Sequence, residues 1–214
     1  MNLMEKNAQK IADCVRKNLA NSNKSRIIIA IVGAPGSGKS SVAERVIEIL
    51  NSASAHQAAL LPMDGFHYDD GVLKTLRRRE RKGAQDTFDV DGLYSLLQRL
   101  QTNADKMIAV PLFDRSIEIS RAGARLIYQK TPIILCEGNY LLLNNAPWNR
   151  LNPLFDLSIM LQVSISELEK RLTRRWHELG LSDKEIQSKV EKNDLPNGRM
   201  VLRQSAPADL YLDN

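Results

Sequence analysis

Residues 26–51 read RIIIAIVGAPGSGKSSVAERVIEILN. The run from Arg26 to Val32 is apolar and largely β-branched, the composition of a strand covered on both faces in a parallel sheet. From about Lys39 the period becomes helical, with Val42, Val46 and Ile49 on one side and Ala43, Ile47 and Leu50 beside them. Between the two lies GAPGSGKS, an unbroken GxxxxGKS string. Its glycines let the backbone turn so that successive N–H groups converge on phosphate oxygens; Lys39 reaches the outer phosphates and the Ser40 hydroxyl is a ligand for Mg²⁺. The nucleotide-binding set read from this loop is Gly33, Ala34, Gly36, Ser37, Gly38, Lys39, Ser40 and Ser41. Such a string occurs by chance in loops; its position between strand and helix is what points to a bound nucleoside triphosphate.

Working outward, buried strands are expected at Gln57 to Met63, Pro132 to Cys136 and Leu157 to Val163, with another apolar peak at Met107 to Leu112. DGLYSLLQRL, from Asp91 to Leu100, has a helical leucine stripe that Asp89 or Asp91 is placed to cap. Ser164 and Glu167 have the spacing of a capping box, ahead of the stripe Ile165, Leu168, Leu172, Trp176 and Leu179. Gly180 is placed to end that helix, Ser182 to cap another over Asp183 to about Glu191, and Asp209 to Leu212 reads as a terminal strand or an apolar tail. Strands alternating with helices predict an α/β fold with a mainly parallel central sheet between helices. The expected organisation is one domain over 1–214, with an N-terminal helix in 1–24.

Composition excludes more than it selects. An apolar fraction of 43% and a charged fraction of 26% are those of an ordinary globular chain, and no apolar run approaches a bilayer span. The N-terminal segment has an amphipathic period rather than the apolar centre of a signal peptide, so a cytoplasmic location is expected, with no membrane partner. Cys14 and Cys136 form no CxxC or Cys/His pair and read as reduced thiols. The net charge is +5, with a basic run Arg77-Arg78-Arg79-Glu80-Arg81-Lys82. No aromatic residue interleaves that run, so nucleic acid is not the expected partner, and a solvated loop outweighs it. Arg78 or Arg81 is alternatively placed to receive an acceptor that already carries phosphate or carboxylate.

Two carboxylates follow apolar runs. Asp64 closes the strand ending Leu-Leu-Pro-Met63, and Glu137 closes Ile-Ile-Leu-Cys136. Ligands of open α/β sheets gather at the carboxyl ends of the strands, where the phosphate loop also lies. There Asp64 is able to accept a hydroxyl proton or help hold Mg²⁺, and Glu137 to hold the metal or its waters. Against these stand an Asp-Gly turn and an ordinary exposed strand end. Arg171, Arg174 and Arg175 lie at i, i+3 and i+4, a cationic flank suited to phosphate charge or to a solvated surface with Glu167 and Glu178. His67 reads as a structural or substrate-contacting histidine, since no second histidine stands at zinc-ligand spacing. No GxSxG or activated cysteine is present.

Taken in order, GAPGSGKS, MDGF, TFDVDGL, VPLFD and ILCEGNYLL resemble the uridine kinase, phosphoribulokinase and bacterial pantothenate kinase family over roughly Arg26 to Arg175. The resemblance implies a three-layer P-loop kinase fold with an arginine-bearing lid, here about 164–200 with its following helix. It also implies transfer of the ATP γ-phosphate, with Mg²⁺, to a hydroxyl of a small metabolite. By that resemblance Asp64 is the general base, Glu137 lies near metal and substrate, Arg171, Arg174 and Arg175 are the lid arginines, and Phe113 and Asp114 line the acceptor pocket. Uridine kinases carry a histidine shortly after the matching Tyr-Asp, whereas this chain has Arg115 and then Glu118 there. MDGFHYDD and NDLPNGR look closer to bacterial proteins described as nucleoside kinase-like or fructose transport system kinases, which implies a sugar-like acceptor contacted by Asp64, His67, Phe113, Asp114, Arg115 and Glu137. The alternatives are a nucleoside or pantothenate-type kinase, or an ATP-binding regulatory protein without catalysis. A monomer or homodimer is expected.

Overall fold

The computed structural model describes residues 2–214. The chain runs through α1 (Leu3–Ala20), β1 (Ile27–Gly33), α2 (Lys39–Asn51), β2 (Ala58–Pro62), α3 (Asp70–Thr75), α4 (Val90–Thr102), β3 (Met107–Asp114) and β4 (Ile119–Tyr128). It continues through β5 (Ile133–Gly138), β6 (Leu157–Gln162), α5 (Ile165–Glu178), α6 (Asp183–Lys189), α7 (Leu195–Gln204) and β7 (Leu210–Asp213). Five strands form a parallel sheet in the order β2-β5-β1-β6-β7. β1 is central and every one of its residues is buried, as its unbroken apolar run requires.

Alternate residues of β1 serve opposite layers. Ile27, Ile29 and Ile31 pack with Ile11 and Val15 of α1 and Val42 and Val46 of α2. Ile28, Ala30 and Val32 face Leu93, Leu97 and Leu100 of α4, Trp148 and Val201 of α7. The result is a helix–sheet–helix sandwich. Asp89 is the residue that caps α4, accepting from Gly92 N at 2.9 Å. Gly180, at φ +79°, follows the end of α5 with its N–H on the His177 carbonyl. The C-terminal apolar segment is a true strand, pairing with β6.

Two local expectations change. Met107 to Leu112 lies outside the parallel sheet: β3 pairs antiparallel with β4 as a separate hairpin. β4 escapes pattern reading because most of its side chains are exposed and it carries no apolar run. The expected capping box at Ser164 is only half formed. Ser164 Oγ accepts from Glu167 N at 3.3 Å, but the Glu167 carboxylate turns instead to Arg171 Nε at 2.9 Å. The reciprocal reach occurs one helix later, where Ser182 N donates to Glu185 Oε2 at 2.9 Å.

Arg26, at the start of β1, is buried and its guanidinium ties the sheet to its surroundings. It donates to the carbonyls of Thr131 (2.9 Å), Leu100 (3.1 Å), Tyr128 (2.7 Å) and Gln129 (3.2 Å). Removing it strands two buried acceptors and two part-buried ones at once. Arg26→Ala is therefore expected to destabilise the fold by about 3–5 kcal/mol, read as a shifted midpoint in urea unfolding. A loss below about 1 kcal/mol would show that water replaces the guanidinium freely.

Candidate active site

Parallel pairing brings the chemistry together. β5 lies between β1 and β2, so Glu137 stands opposite Ile31 on one side and Pro62 on the other. Asp64 follows two residues after Pro62, on the turn Met63–Phe66. Both carboxylates and the loop leaving β1 thus share one sheet edge.

In that loop Gly36 and Gly38 have φ of +80° and +82°, backbone that a side chain strains. A Cβ at position 38 would also come within 2.7 Å of Asn214 Nδ2. The Lys39 ammonium is depressed from its usual range by burial, opposed by the charges of Glu137 and Asp64. Ser40 Oγ donates to Glu137 Oε2 at 3.2 Å. Glu137 is only 4% exposed, and burial pushes its carboxyl up to about 7 against the pull of Lys39. This excludes the ordinary exposed strand end: Glu137 is a buried carboxyl whose polar neighbours are the Ser40 hydroxyl and the charge of Lys39.

Asp64 differs. Burial works to raise it, but His67, Arg115, Lys39 and Arg175 hold it below the usual carboxylate range. Arg115 Nη2 bonds Asp64 Oδ2 at 2.7 Å. His67 packs 4.0 Å from Phe88 and 4.8 Å from Phe113 between ring centroids, with Nδ1 2.8 Å from the Asp64 carbonyl. Burial keeps its imidazole below its ordinary pKa.

A cleft of about 930 Å³ opens over this edge and takes in the phosphate loop, Asp64, His67, Phe113, Arg115 and all three α5 arginines. The arginines part company within it. Arg175 is half-buried and feels the charges of Asp194 and Asp64, whereas Arg171 binds Glu167 and the Asn214 carbonyl (3.1 Å) beside the phosphate loop. Arg174 is exposed, with Glu178 at 3.8 Å. Asp114 does not line the cleft. Its carboxylate is drawn into the β3–β4 turn by Ser116 N (3.1 Å), Ser116 Oγ (2.6 Å) and Arg121 Nε (3.4 Å).

The basic run behaves unlike either expectation for Arg78 and Arg81. Arg78 pairs with Asp86 at 2.6 Å and Arg81 with the Lys192 carbonyl, while Arg79 and Lys82 turn into the cleft. Asp70, which pattern reading passed over, holds both. Asn193 and Asn197 also line the cleft, and the buried Asn197 Oδ1 has no hydrogen-bond partner among the described residues. Their i, i+4 spacing inside NDLPNGR was the available signal. Among the described residues no three His, Cys, Asp or Glu side chains gather as a metal site. Cys14 and Cys136 are free thiols, Cys136 fully buried.

The model of the phosphoribulokinase/uridine kinase family matches residues 28–213. The "Putative uridine kinase C227.14" of Schizosaccharomyces pombe is 31% identical over 197 residues, 89% of this chain and 84% of its own. The "Uncharacterized protein YggC" of Escherichia coli is 30% identical, over 88% of this chain and 78% of its own. A Silicibacter protein solved as a "putative fructose transport system kinase" superposes with a TM-score of 0.87 at 34% identity, covering 99% of this chain and 98% of that one. The lysine and paired strand-end acids around a phosphate loop are thus set in a chain that belongs to the phosphoribulokinase/uridine kinase family of P-loop kinases.

Proposed function

We propose that the protein transfers the γ-phosphoryl group of ATP to a hydroxyl of a small, sugar-like metabolite. The observation that carries this reading is the placing of Asp64 and Glu137 at one sheet edge beside the phosphate loop, with Ser40 Oγ on Glu137 Oε2 at 3.2 Å and the partly buried Lys39 in the fields of both acids. The phosphate loop binds the triphosphate through backbone N–H groups, and Lys39 follows charge onto the outer phosphates. Magnesium bound with the nucleotide supplies neutralisation of phosphate charge, and Ser40 and Glu137 are the residues that would hold it. Two protein oxygens suffice, because Mg²⁺ in such sites keeps waters and phosphate oxygens as its other ligands.

Asp64 takes the proton of the acceptor hydroxyl as that oxygen bonds the γ-phosphorus, and the bridging oxygen leaves on ADP with the bonding electron pair. Arg175 enters the cleft from the lid and stabilises the equatorial oxygens; Arg171 steadies the nucleotide side, and Arg174 joins only if α5 moves inward. Phe113 and His67 wall the acceptor side and exclude water, while Asn197 offers its unpaired carbonyl to a donor such as a hydroxyl. The Silicibacter neighbour's description supports a sugar-like acceptor. The fission-yeast relative supports a nucleoside instead, but Glu118, at φ +56° in the β3–β4 turn, stands where uridine kinases carry histidine.

With Mg²⁺ and ATP, a panel of sugars, sugar derivatives, nucleosides and pantothenate is expected to yield a phosphorylated sugar-like product by mass spectrometry; product from uridine alone would decide for the nucleoside reading. Asp64→Asn is expected to lower kcat about 10²–10⁴-fold with ATP binding retained. Full turnover in that variant would remove Asp64 as base. Gly38→Ala, by contrast, is expected to weaken ATP binding about tenfold or more in a titration, since strain and the contact with Asn214 both deform the loop. Unchanged affinity would mean that the loop does not cradle phosphate.

A further inference from the structure

Two members of the basic run, Arg79 and Lys82, line the cleft, Arg79 from an exposed position with 45% of its side chain accessible and Lys82 from a nearly buried one. One carboxylate sets them there: Asp70 Oδ2 accepts from Arg79 Nε at 2.6 Å and Asp70 Oδ1 from Lys82 Nζ at 2.7 Å. Lys82 also donates to the Glu118 carbonyl at 2.7 Å and lies 5.2 Å from the Phe113 ring centroid. Its side chain is 9% exposed, unusual for a lysine. An ammonium carries three donors; two are used, and the third has no partner among the described residues. The loop is pinned in this inward course. Asn193 Nδ2 donates to the Lys82 carbonyl at 3.3 Å, and Arg81 reaches the Lys192 carbonyl, so the segment is tied to the π-helical stretch Val190–Asp194 that joins α6 to α7.

A third cation reaches the same region from the β3–β4 turn. Arg115 is 54% exposed, and its bond to Asp64 is a single 2.7 Å contact. That contact opposes the role proposed for Asp64, because a guanidinium on a carboxylate lowers its proton affinity. For Asp64 to take a hydroxyl proton, Arg115 has to let go. Lys39 and Arg175 both feel the charge of Arg115, so the three share one field, but the direct bond of Arg115 is to Asp64. Arg79, Lys82 and Arg115 face Asp64 and Asp70, and the exposed Glu118 carboxylate lines the same cleft, so an incoming anion is met by exposed guanidinium groups and the free third donor of Lys82 rather than by net positive charge.

We infer that the acceptor carries an anionic group, a carboxylate or a phosphate, which Lys82, Arg79 and Arg115 receive, and that this group frees Asp64 by drawing Arg115 away from it. The inference rests on the proposed kinase reaction and narrows its acceptor class to sugar-like acids or sugar phosphates. A carboxylate or phosphate accepts charge-assisted bonds from a guanidinium as well as Asp64 does, so the exchange is nearly even for Arg115. A neutral polyol offers no such exchange and leaves the base occupied. Discrimination thereby becomes catalytic as well as a matter of affinity.

The test uses matched probes: glycerate against glycerol, gluconate against glucose, and fructose 6-phosphate against fructose. Each is titrated calorimetrically into the full chain with Mg²⁺ and a non-hydrolysable ATP analogue, and each is assayed for product with ATP. The anionic member of at least one pair is expected to bind about tenfold tighter than its neutral partner or more. Which pair responds distinguishes carboxylate from phosphate. Lys82→Gln and Arg115→Gln are expected to reduce that advantage to about threefold or less, with Arg115→Lys recovering part of it. Arg115→Gln is further expected to lower kcat/KM for the anionic acceptor and to raise it for the neutral one, whose base is no longer held by the guanidinium, whereas a merely structural role would lower both alike.

Equal binding within every pair of the unsubstituted protein, absence of binding by all six probes, or an advantage that survives both glutamine variants would overturn the inference. Tight binding of an anionic probe without phosphoryl transfer to any would leave it standing and remove the proposed reaction. Transfer to neutral members alone would do the reverse.

Discussion

Parallel pairing of β1 with β5 is the constraint on which the rest depends. It places Glu137 opposite Ile31, one strand from the phosphate loop, in a position with almost no access to water. Burial pushes the carboxyl there up to about 7, and the ammonium of Lys39, partly buried, is depressed by desolvation. Neither is a stabilising choice for a bare fold. Their burial makes sense as preorganisation, since fixed charges in a dry cleft act more strongly on a bound phosphate than the same charges in water.

Around that edge the molecule divides its cations by task. Lys39 belongs to the sheet edge, Arg171 and Arg175 to α5, and Arg79, Lys82 and Arg115 to two loops that also line the cleft. The first is rigid because the phosphate loop is anchored between a central strand and α2. Arg171 and Arg175 hang on α5, which packs through a smaller cluster formed by Ala34, Val163, Leu168, Leu172, Ile186, Val190 and Leu195. A small apolar cluster joining lid to loop is suited to movement that leaves the sheet undisturbed.

The acceptor side also shows how a single carboxylate organises a neighbourhood. Asp70 gathers Arg79 and Lys82, and the inward loop they anchor brings Gly83 under Tyr140, whose hydroxyl donates to the Gly83 carbonyl at 2.6 Å. Asp64 by contrast is shared among cations of different elements, with Arg115 the one in direct contact. The two acids differ in mobility of their partners: Lys82 is nearly buried, Arg115 mostly exposed.

The sequence by itself determined the phosphate loop with its strand and helix, the strand-end places of Asp64 and Glu137, the α4 and α5 stripes and the family. Each of these rests on local periodicity or on motifs whose residues adjoin in the chain. Tertiary structure decided what no local pattern records. The exposed β4 turns Met107–Asp114 away from the sheet and carries Arg115 onto Asp64 across 51 residues of chain. It likewise sends Asp114 out of the cleft and Lys82 into it, because the competing partners, Ser116 and Arg121 for one and Asp70 and the Glu118 carbonyl for the other, come into reach only when the loops fold together.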